Sequence, residues 1–164
     1  MQVEILPPQP EIKMATEKQI REAVKTAIEA AAPLAKVVSR NILDLANNKW
    51  LNFLRAPNDG KKLHGYFVTW DGGESEPPYL RDYTATISIF GAYEYRVGDD
   101  SSNSEDTWNA EVEDVIERFI NPTTQPAELS GLTGWSARVY VSDEPGSNTH
   151  IAEIRLSVST TLGC

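Results

Sequence analysis

The spacing of apolar residues changes near Lys62, and this change limits the folds open to the chain. Before it, apolar residues recur at helical intervals; after it, they alternate with polar residues over Lys62 to Trp70 and Arg81 to Arg96. Alternation predicts strands, because successive strand side chains point to opposite faces of a sheet. Two more alternating segments follow, separated by a turn at 143–148. Their apolar residues are Trp135, Ala137, Val139 and Val141 on one face of the first strand, and Ala152, Ile154, Leu156 and Val158 facing inward from the second.

Two helices are predicted from capping residues and apolar stripes. Thr16 and Gln19 have the spacing of a capping box, which satisfies free backbone N–H groups at a helix start, and Pro33 ends this helix. Ser102 and Glu105 repeat that spacing before a second helix. The apolar stripes are Ile20, Val24, Ala27, Ile28 and Ala31 in the first helix, and Trp108, Val112, Val115, Ile116 and Phe119, before Pro122, in the second.

Together these elements predict an α+β fold, a mainly antiparallel sheet of four to five strands with two main helices packed on one face. A strand at 35–38 and a shorter helix at 44–54 complete the order of elements. The other face of the long strand 81–96 is largely polar, so we expect it to meet water or a polar interface. Residues 1–14 contain three prolines and predict an extended arm, followed by a single domain over 15–164.

The net charge of −9 is unevenly distributed along the chain. Residues 1–62 hold ten Lys/Arg and seven Asp/Glu, a balance of +3, whereas the remaining residues hold five and seventeen, a balance of −12. Acidic surfaces repel phosphate backbones, so tight binding to nucleic acid is not expected. Opposite charges on two ends can steer identical subunits together head to tail, although the same charges also serve solubility alone.

The sequence has no pattern that predicts secretion, membrane insertion or an intrachain disulfide. No stretch approaches the roughly 18 uncharged apolar residues of a membrane span, and the first residues do not resemble a secretion signal. A single cysteine, Cys164, allows no intrachain disulfide. We therefore expect a soluble protein that stays where it is made and does not bind a membrane.

The usual signatures of catalysis and metal binding are weak. His64 and His150 fall in predicted strands with no Gly-x-Ser-x-Gly motif, so ordinary strand histidines are favoured over a catalytic triad. The segment 99–105 alternates oxygen ligands like the start of a calcium loop. However, Ser104 stands where such a loop needs glycine, and Ala110 where it needs a bidentate glutamate. We therefore predict no metal, no cofactor and no enzymatic activity.

Carboxylates occur in close pairs, Glu74 with Glu76 and Glu111 with Asp114. Such pairs can perform acid–base chemistry, but most are solvated surface charge. The first pair lies in the segment 71–79, which is rich in Gly and Pro and predicts a projecting acidic loop between two strands.

Three segments together resemble one protein family. They are HGYFVTW at 64–70, YTATISIFGAY at 83–93 and WNAEVEDVIERF at 108–119. In this combination they are similar to the tail terminator, or tail completion, proteins of long-tailed bacteriophages. The resemblance covers residues 16–160 through the order of elements, and it is a likeness of architecture, not a diagnostic motif.

The resemblance implies a structural virion protein that is assembled in the bacterial host cytoplasm and located at the tail–neck junction. Such subunits form a ring, commonly of six, that caps the tail tube, ends its polymerisation and provides a docking surface for the head connector protein. DNA passes through the lumen of the ring without specific binding. A head-to-tail connector or neck subunit is the alternative, and a small-ligand-binding domain with a pocket between the second helix and the sheet is a further one.

Contact sites with partners are expected in the acidic loop 71–80 and at tyrosines of the strands. These residues are Asp71, Glu74, Glu76, Tyr79, Tyr93 and Tyr95. The arm 1–14 and this loop are also the parts that the resemblance does not align. Ordering such a segment on a partner adds contact area, so a role at an interface is one interpretation of both segments, and the absence of any role is the alternative.

Overall fold

Two helices cover one face of a five-stranded sheet in the computed structural model, which describes residues 16–39, 54–56, 59–75, 82–94, 101–141 and 149–161. The elements, in chain order, are α1 (Glu17–Ala31), β1 (Lys36–Ser39), β2 (Arg55–Ala56), β3 (Asp59–Ser75), β4 (Asp82–Glu94), α2 (Ser101–Ile120), a 3-10 helix (Ala127–Leu129), β5 (Leu132–Val141) and β6 (Thr149–Thr161). The predicted α+β fold is confirmed. Neither helix has the length and apolar character needed to cross a membrane.

The strands of the sheet are arranged in the order β1-β3-β4-β6-β5, with the short β2 paired to β3 outside this path. Pairing is antiparallel except between β1 and β3, which are parallel. The central strand is β4, which pairs continuously with β6 from Asp82 opposite Thr161 to Glu94 opposite Thr149. Among the described strands, β1 and β5 form the two edges of the sheet.

The start of α1 forms the predicted capping box. The Thr16 hydroxyl accepts a hydrogen bond from the Gln19 backbone N–H at 3.3 Å, and the Gln19 side-chain oxygen accepts one from the Thr16 N–H at 2.9 Å. Both bonds satisfy donors that a helix start leaves free. The helix ends at Ala31, and Pro33 lies in the following turn.

The second helix, α2, begins earlier than its predicted cap. It includes Ser101 and Ser102, so the prediction that Ser102 is the capping residue is wrong. The reason is that 101–104 consists of Ser and Asn residues, which cap helices about equally well, so composition alone cannot select one of them. The predicted apolar stripe of α2 is confirmed, with Trp108, Val112 and Phe119 buried against the sheet.

The main core lies between the helices and the sheet. Its buried residues from the sheet include Tyr66, Val68, Ile87, Ile89, Ala152, Ile154, Leu156 and Val158. The inward face predicted for the last strand is therefore confirmed. Trp108 and Phe119 are buried at 1% and 0% exposure and occupy the space where a ligand-binding domain would place its pocket.

The opposite face of the sheet is less polar than predicted. A second apolar cluster lies on it, formed by Leu54, Leu63, Phe67, Ala92 and Ile151 with Phe90 packed against them. Thr69 and Ser88 on this face are also buried. The prediction was based on the threonines and Ser88 of β4, but Phe90 and Ala92 share their face and are covered together with Leu54.

The prediction that an irregular loop begins at Asp71 is wrong, because residues 71–75 belong to a strand. Strand β3 continues to Ser75, with Gly73 paired to Ala85 and a register shift after Trp70. One extra residue in β3 at this shift forms a β-bulge, a feature that glycine accommodates readily. The two glycines at 72 and 73 favour a loop in the sequence, whereas in the structure they lie at a bulge within the strand.

Several predicted segments lie outside the described residues. These are the arm 1–14, the turn 143–148 and most of the predicted helix 44–54. The last residue of that helix, Leu54, is described and lies in a turn immediately before β2.

Candidate functional site

The edge strand β5 exposes large apolar side chains. Trp135, Val139 and Val141 are 48%, 41% and 45% exposed. They alternate along the strand and therefore lie on one face, as predicted. An edge strand with apolar side chains is a surface on which another chain can pack.

This exposed face is the same face of the sheet that the helices cover elsewhere. In the register of β5 and β6, Trp135 lies opposite Leu156 and Val139 lies opposite Ala152. Directly opposed residues of an antiparallel pair point to the same side. Leu156 and Ala152 are buried, whereas Trp135 and Val139 are exposed, so no described helix covers this part of β5. We name the exposed side chains Trp135, Ala137, Val139 and Val141 the β5 apolar face.

The other side of β5 is polar and has its own partners within the chain. The Tyr140 hydroxyl donates a hydrogen bond of 3.0 Å to the carboxylate of Glu153 on β6. The guanidinium carbon of Arg138 lies 4.5 Å from the centre of the Tyr140 ring, within the range of a cation–π contact. The two sides of this strand therefore differ in chemistry, and no helix of the described residues covers the apolar side around Trp135 and Val139.

The exposed surface of α2 is acidic. Its exposed carboxylates are Glu105, Asp106, Glu113, Asp114 and Glu117. The acidic pair Glu111 and Asp114 predicted as solvated charge is divided, since Asp114 is exposed but Glu111 is partly buried. The far edge of the sheet has a smaller apolar feature, Leu34, which is 87% exposed in the turn before β1.

A partly buried polar contact joins α2 to β3. Nε2 of His64 lies 3.0 Å from each carboxylate oxygen of Glu111, and the hydroxyl of Tyr66 donates a bond of 2.9 Å to Oε1 of the same group. The side chains of His64 and Glu111 are 13% and 20% exposed. A carboxylate thus lies beside a histidine that the sequence predicted to be an ordinary strand residue.

Aromatic rings surround this contact. Trp108 stacks on Tyr66 with ring centres 5.4 Å apart and on Tyr93 with centres 5.7 Å apart. The Tyr93 ring meets His64 edge-on at 5.1 Å and lies parallel to the His150 ring at 6.4 Å. Because each ring contacts at least one other, the orientation of the two histidines is set by packing.

Burial controls the ionisation of two groups in the cluster. Desolvation, and then the charge and hydrogen bond of Glu111, raise the pKa of Tyr66 well above its ordinary value. The phenol therefore stays protonated and donates to the carboxylate. Burial lowers the pKa of His150, while the negative charge of Glu105 acts in the opposite direction. This arrangement fixes α2 on the sheet through a neutral donor and a paired carboxylate.

The residues predicted as contact sites are only partly described. Tyr93 is half-buried in the aromatic cluster, on the helical face of β4. The backbones of Asp71 and Glu74 belong to β3. Glu76, Tyr79 and Tyr95 lie outside the described residues.

Sequence reasoning missed the two features that the structure brings out. The alternating pattern predicted that Trp135 and its neighbours share one face of β5. The sequence of β5 does not indicate whether a helix covers that face. His64 and Glu111 are 47 positions apart, and no local pattern pairs them. Within the described part of the chain, no three His, Cys, Asp or Glu residues gather as a metal-binding group.

Comparison with known proteins gives no assignment. No protein-family model matches the sequence, and a search of curated proteins finds none with significant similarity.

Proposed function

We propose that this chain is a structural protein of a long-tailed bacteriophage that forms a closed ring, commonly of six copies, at the tail–neck junction. The ring caps the tail tube, ends its polymerisation and provides the docking surface for the head connector. It assembles in the bacterial host cytoplasm and performs no chemistry. The resemblance of the three segments at 64–70, 83–93 and 108–119 supports the family, and the α+β fold agrees with it.

The observation that carries the proposal is the β5 apolar face. Trp135, Val139 and Val141 lie together on an edge strand, each at least 41% exposed. A single exposed apolar residue is ordinary in a monomer. One aromatic and two aliphatic side chains on the same face of an edge strand favour association with another chain. A ring subunit needs such a surface on each copy.

The position of this surface favours a ring over a symmetric dimer. The β5 apolar face lies at one edge of the sheet, and β1, preceded by the exposed Leu34, lies at the other. Contact between two different surfaces of identical chains is heterologous, and it generates a ring when the rotation closes. Two opposite edges on one subunit provide the two sides of such a contact.

The acidic surface of α2 fits a lumen through which DNA passes. Glu105, Asp106, Glu113, Asp114 and Glu117 are exposed on one helix, and acidic charge repels the phosphate backbone. If α2 lines the channel, DNA moves through it without binding. The same charge agrees with the expectation that the protein does not hold nucleic acid tightly.

Native mass spectrometry and negative-stain images test the ring. We expect the unaltered protein to give a single closed oligomer with a central hole. The double variant Trp135→Ser with Val139→Ser should be monomeric and still fold, because both side chains are at least 41% exposed and no fully buried residue is changed. The control is Ser136→Ala, an exposed residue on the other side of the same strand, which should leave the ring intact. A monomeric unaltered protein would contradict the proposal.

Tail-tube polymerisation separates a terminator from a neck subunit. Added to polymerising tube subunits, a terminator should limit tube length, and the Trp135→Ser/Val139→Ser variant should not. A neck subunit would form the ring yet leave tube length unchanged. That result would assign the chain to the connector side of the junction.

A further inference from the structure

We propose that residues 1–15 of one copy pack on the β5 apolar face of the neighbouring copy in the ring. This inference rests on the proposed function, because it requires a ring of identical chains. It identifies the occupant of the exposed face as a segment of this same chain. Three observations support it: where the segment is attached, how far it can reach and what side chains it carries.

The segment is attached at the edge of the sheet opposite to β5. It joins the described chain at Thr16, the capping residue of α1. Nη1 of Arg21, in the first half of α1, donates a hydrogen bond of 3.0 Å to Oγ of Ser39, the last residue of β1. The segment therefore leaves the molecule near the β1 edge. In a head-to-tail ring, that edge faces the β5 edge of the next copy.

The length of the segment is sufficient for this contact. Fifteen extended residues span up to about 50 Å. Strands lie about 4.8 Å apart, so the five-strand path is about 19 Å wide from β1 to β5. The segment can cross the boundary between two copies and still run along the face of β5.

The side chains of the segment suit an apolar surface. Its apolar residues are Met1, Val3, Ile5, Leu6, Ile12, Met14 and Ala15, and its prolines are Pro7, Pro8 and Pro10. Prolines have no N–H to donate and favour extended backbone, so the segment can contribute side-chain contacts but cannot form a continuous strand ladder. Trp135 at one end of the face offers a flat aromatic surface of the kind on which proline-containing segments pack.

Mixed disulfide cross-linking tests the inference on full-length protein. Two chains are made in a Cys164→Ser background, one with Ile5→Cys and the other with Val139→Cys, and they carry tags of different size. After mixing, ring formation and oxidation, we expect a cross-linked pair containing one chain of each kind. The control replaces Val139→Cys with Ser136→Cys, on the other side of β5, and should give little of this product.

The outcomes distinguish the inference from the proposed function. If the ring forms without the mixed product, residues 1–15 do not occupy the β5 apolar face of the neighbouring copy. The inference is then overturned and the proposed function stands. A chain carrying both cysteines that cross-links only within itself would place the segment on its own copy and also overturn the inference. A protein that stays monomeric would overturn both.

A dilution experiment provides a second test that does not rely on cysteine chemistry. The double variant Ile5→Ser with Leu6→Ser should raise the concentration at which half of the ring dissociates by about a hundredfold, the effect expected from losing two buried aliphatic side chains. The control is Gln2→Ser with Gln9→Ser, two polar residues of the same segment. Equal dissociation of both variants would overturn the inference.

Discussion

Tyr66 of β3 donates a hydrogen bond of 2.9 Å to the carboxylate of Glu111 on α2. His64 approaches the same carboxylate from the same strand, so one acidic side chain of the helix holds two residues of the sheet. The phenol is fully buried and has a raised pKa, which keeps it a donor over the ordinary pH range. The contact fixes the position of α2 on the sheet.

Removing this acceptor should destabilise the protein. Glu111→Ala leaves the buried Tyr66 hydroxyl without its partner, and a buried unsatisfied donor costs about 1–3 kcal/mol. We expect urea unfolding to show a loss of this size, reduced when Tyr66→Phe is added, because the second change removes the unsatisfied donor. Glu113→Ala, an exposed glutamate on the same helix, is the control and should change stability by no more than about 0.5 kcal/mol. Equal stability of Glu111→Ala and the control would contradict this interpretation.

Stability should fall as the pH drops below the ordinary histidine pKa of about 6.5. Burial lowers the pKa of His150 in the folded protein. Below the ordinary pKa of about 6.5, the unfolded chain therefore binds more protons than the folded one. The loss begins near the unfolded pKa and is complete below the folded pKa. His150→Gln should flatten this part of the stability profile, measured by urea unfolding between about pH 7.5 and 5. The variant retains His64 and Glu105, so a profile parallel to that of the unaltered protein would exclude His150 as the cause.

Gly91 should tolerate no side chain. A Cβ atom there would lie 2.9 Å from both Trp108 Cη2 and Tyr66 Cε1, two rings that pack on each other. Gly91→Ala should therefore destabilise the fold by about 1–3 kcal/mol through overpacking. Gly134→Ala is the matched control in β5, because no atom lies within 4 Å of its added Cβ. Thermal unfolding of the two variants compares them directly, and similar midpoints would show that the rings can move apart.

The proposed ring should persist in high salt once it has formed. Apolar contacts are not screened by ions, whereas in about 1 M salt the screening length between charges is only about 3 Å. The +3 and −12 parts of the chain can still accelerate encounter, so association should slow as salt increases. Native mass spectrometry after equilibration in low and high salt tests this. Dissociation to monomers in high salt would assign the lateral contact to charge instead of the β5 apolar face.

Local signals predicted the elements well, since their causes lie within a few residues. Thr16 and Gln19 predicted the start of α1 because a capping box involves only neighbouring groups. The alternation at 152–158 predicted the inward face of β6. The bulge after Trp70 was missed because glycines favour both loops and bulges, and only the pairing with β4 distinguishes the two.

Features that depend on distant contacts could not be predicted. Trp135 was placed on the correct face of β5, but whether a helix covers it is decided by where α2 lies over the sheet. His64 and Glu111 meet only because β3 and α2 pack together. The second face of the sheet was predicted to be polar from the polar residues on it. Phe90 lies on that face and packs against a cluster that includes Leu54, a contact that those polar residues do not indicate.

The order of strands has a consequence for the timing of assembly. Among the described strands, β5 pairs only with β6, and β6 in turn joins it to β4. During synthesis β5 emerges first, yet it has no place in the sheet until residues 149–161 have followed and inserted between the two. A nascent chain consequently lacks the finished β5 edge, and this surface becomes available to another chain only after β6 has paired with β4.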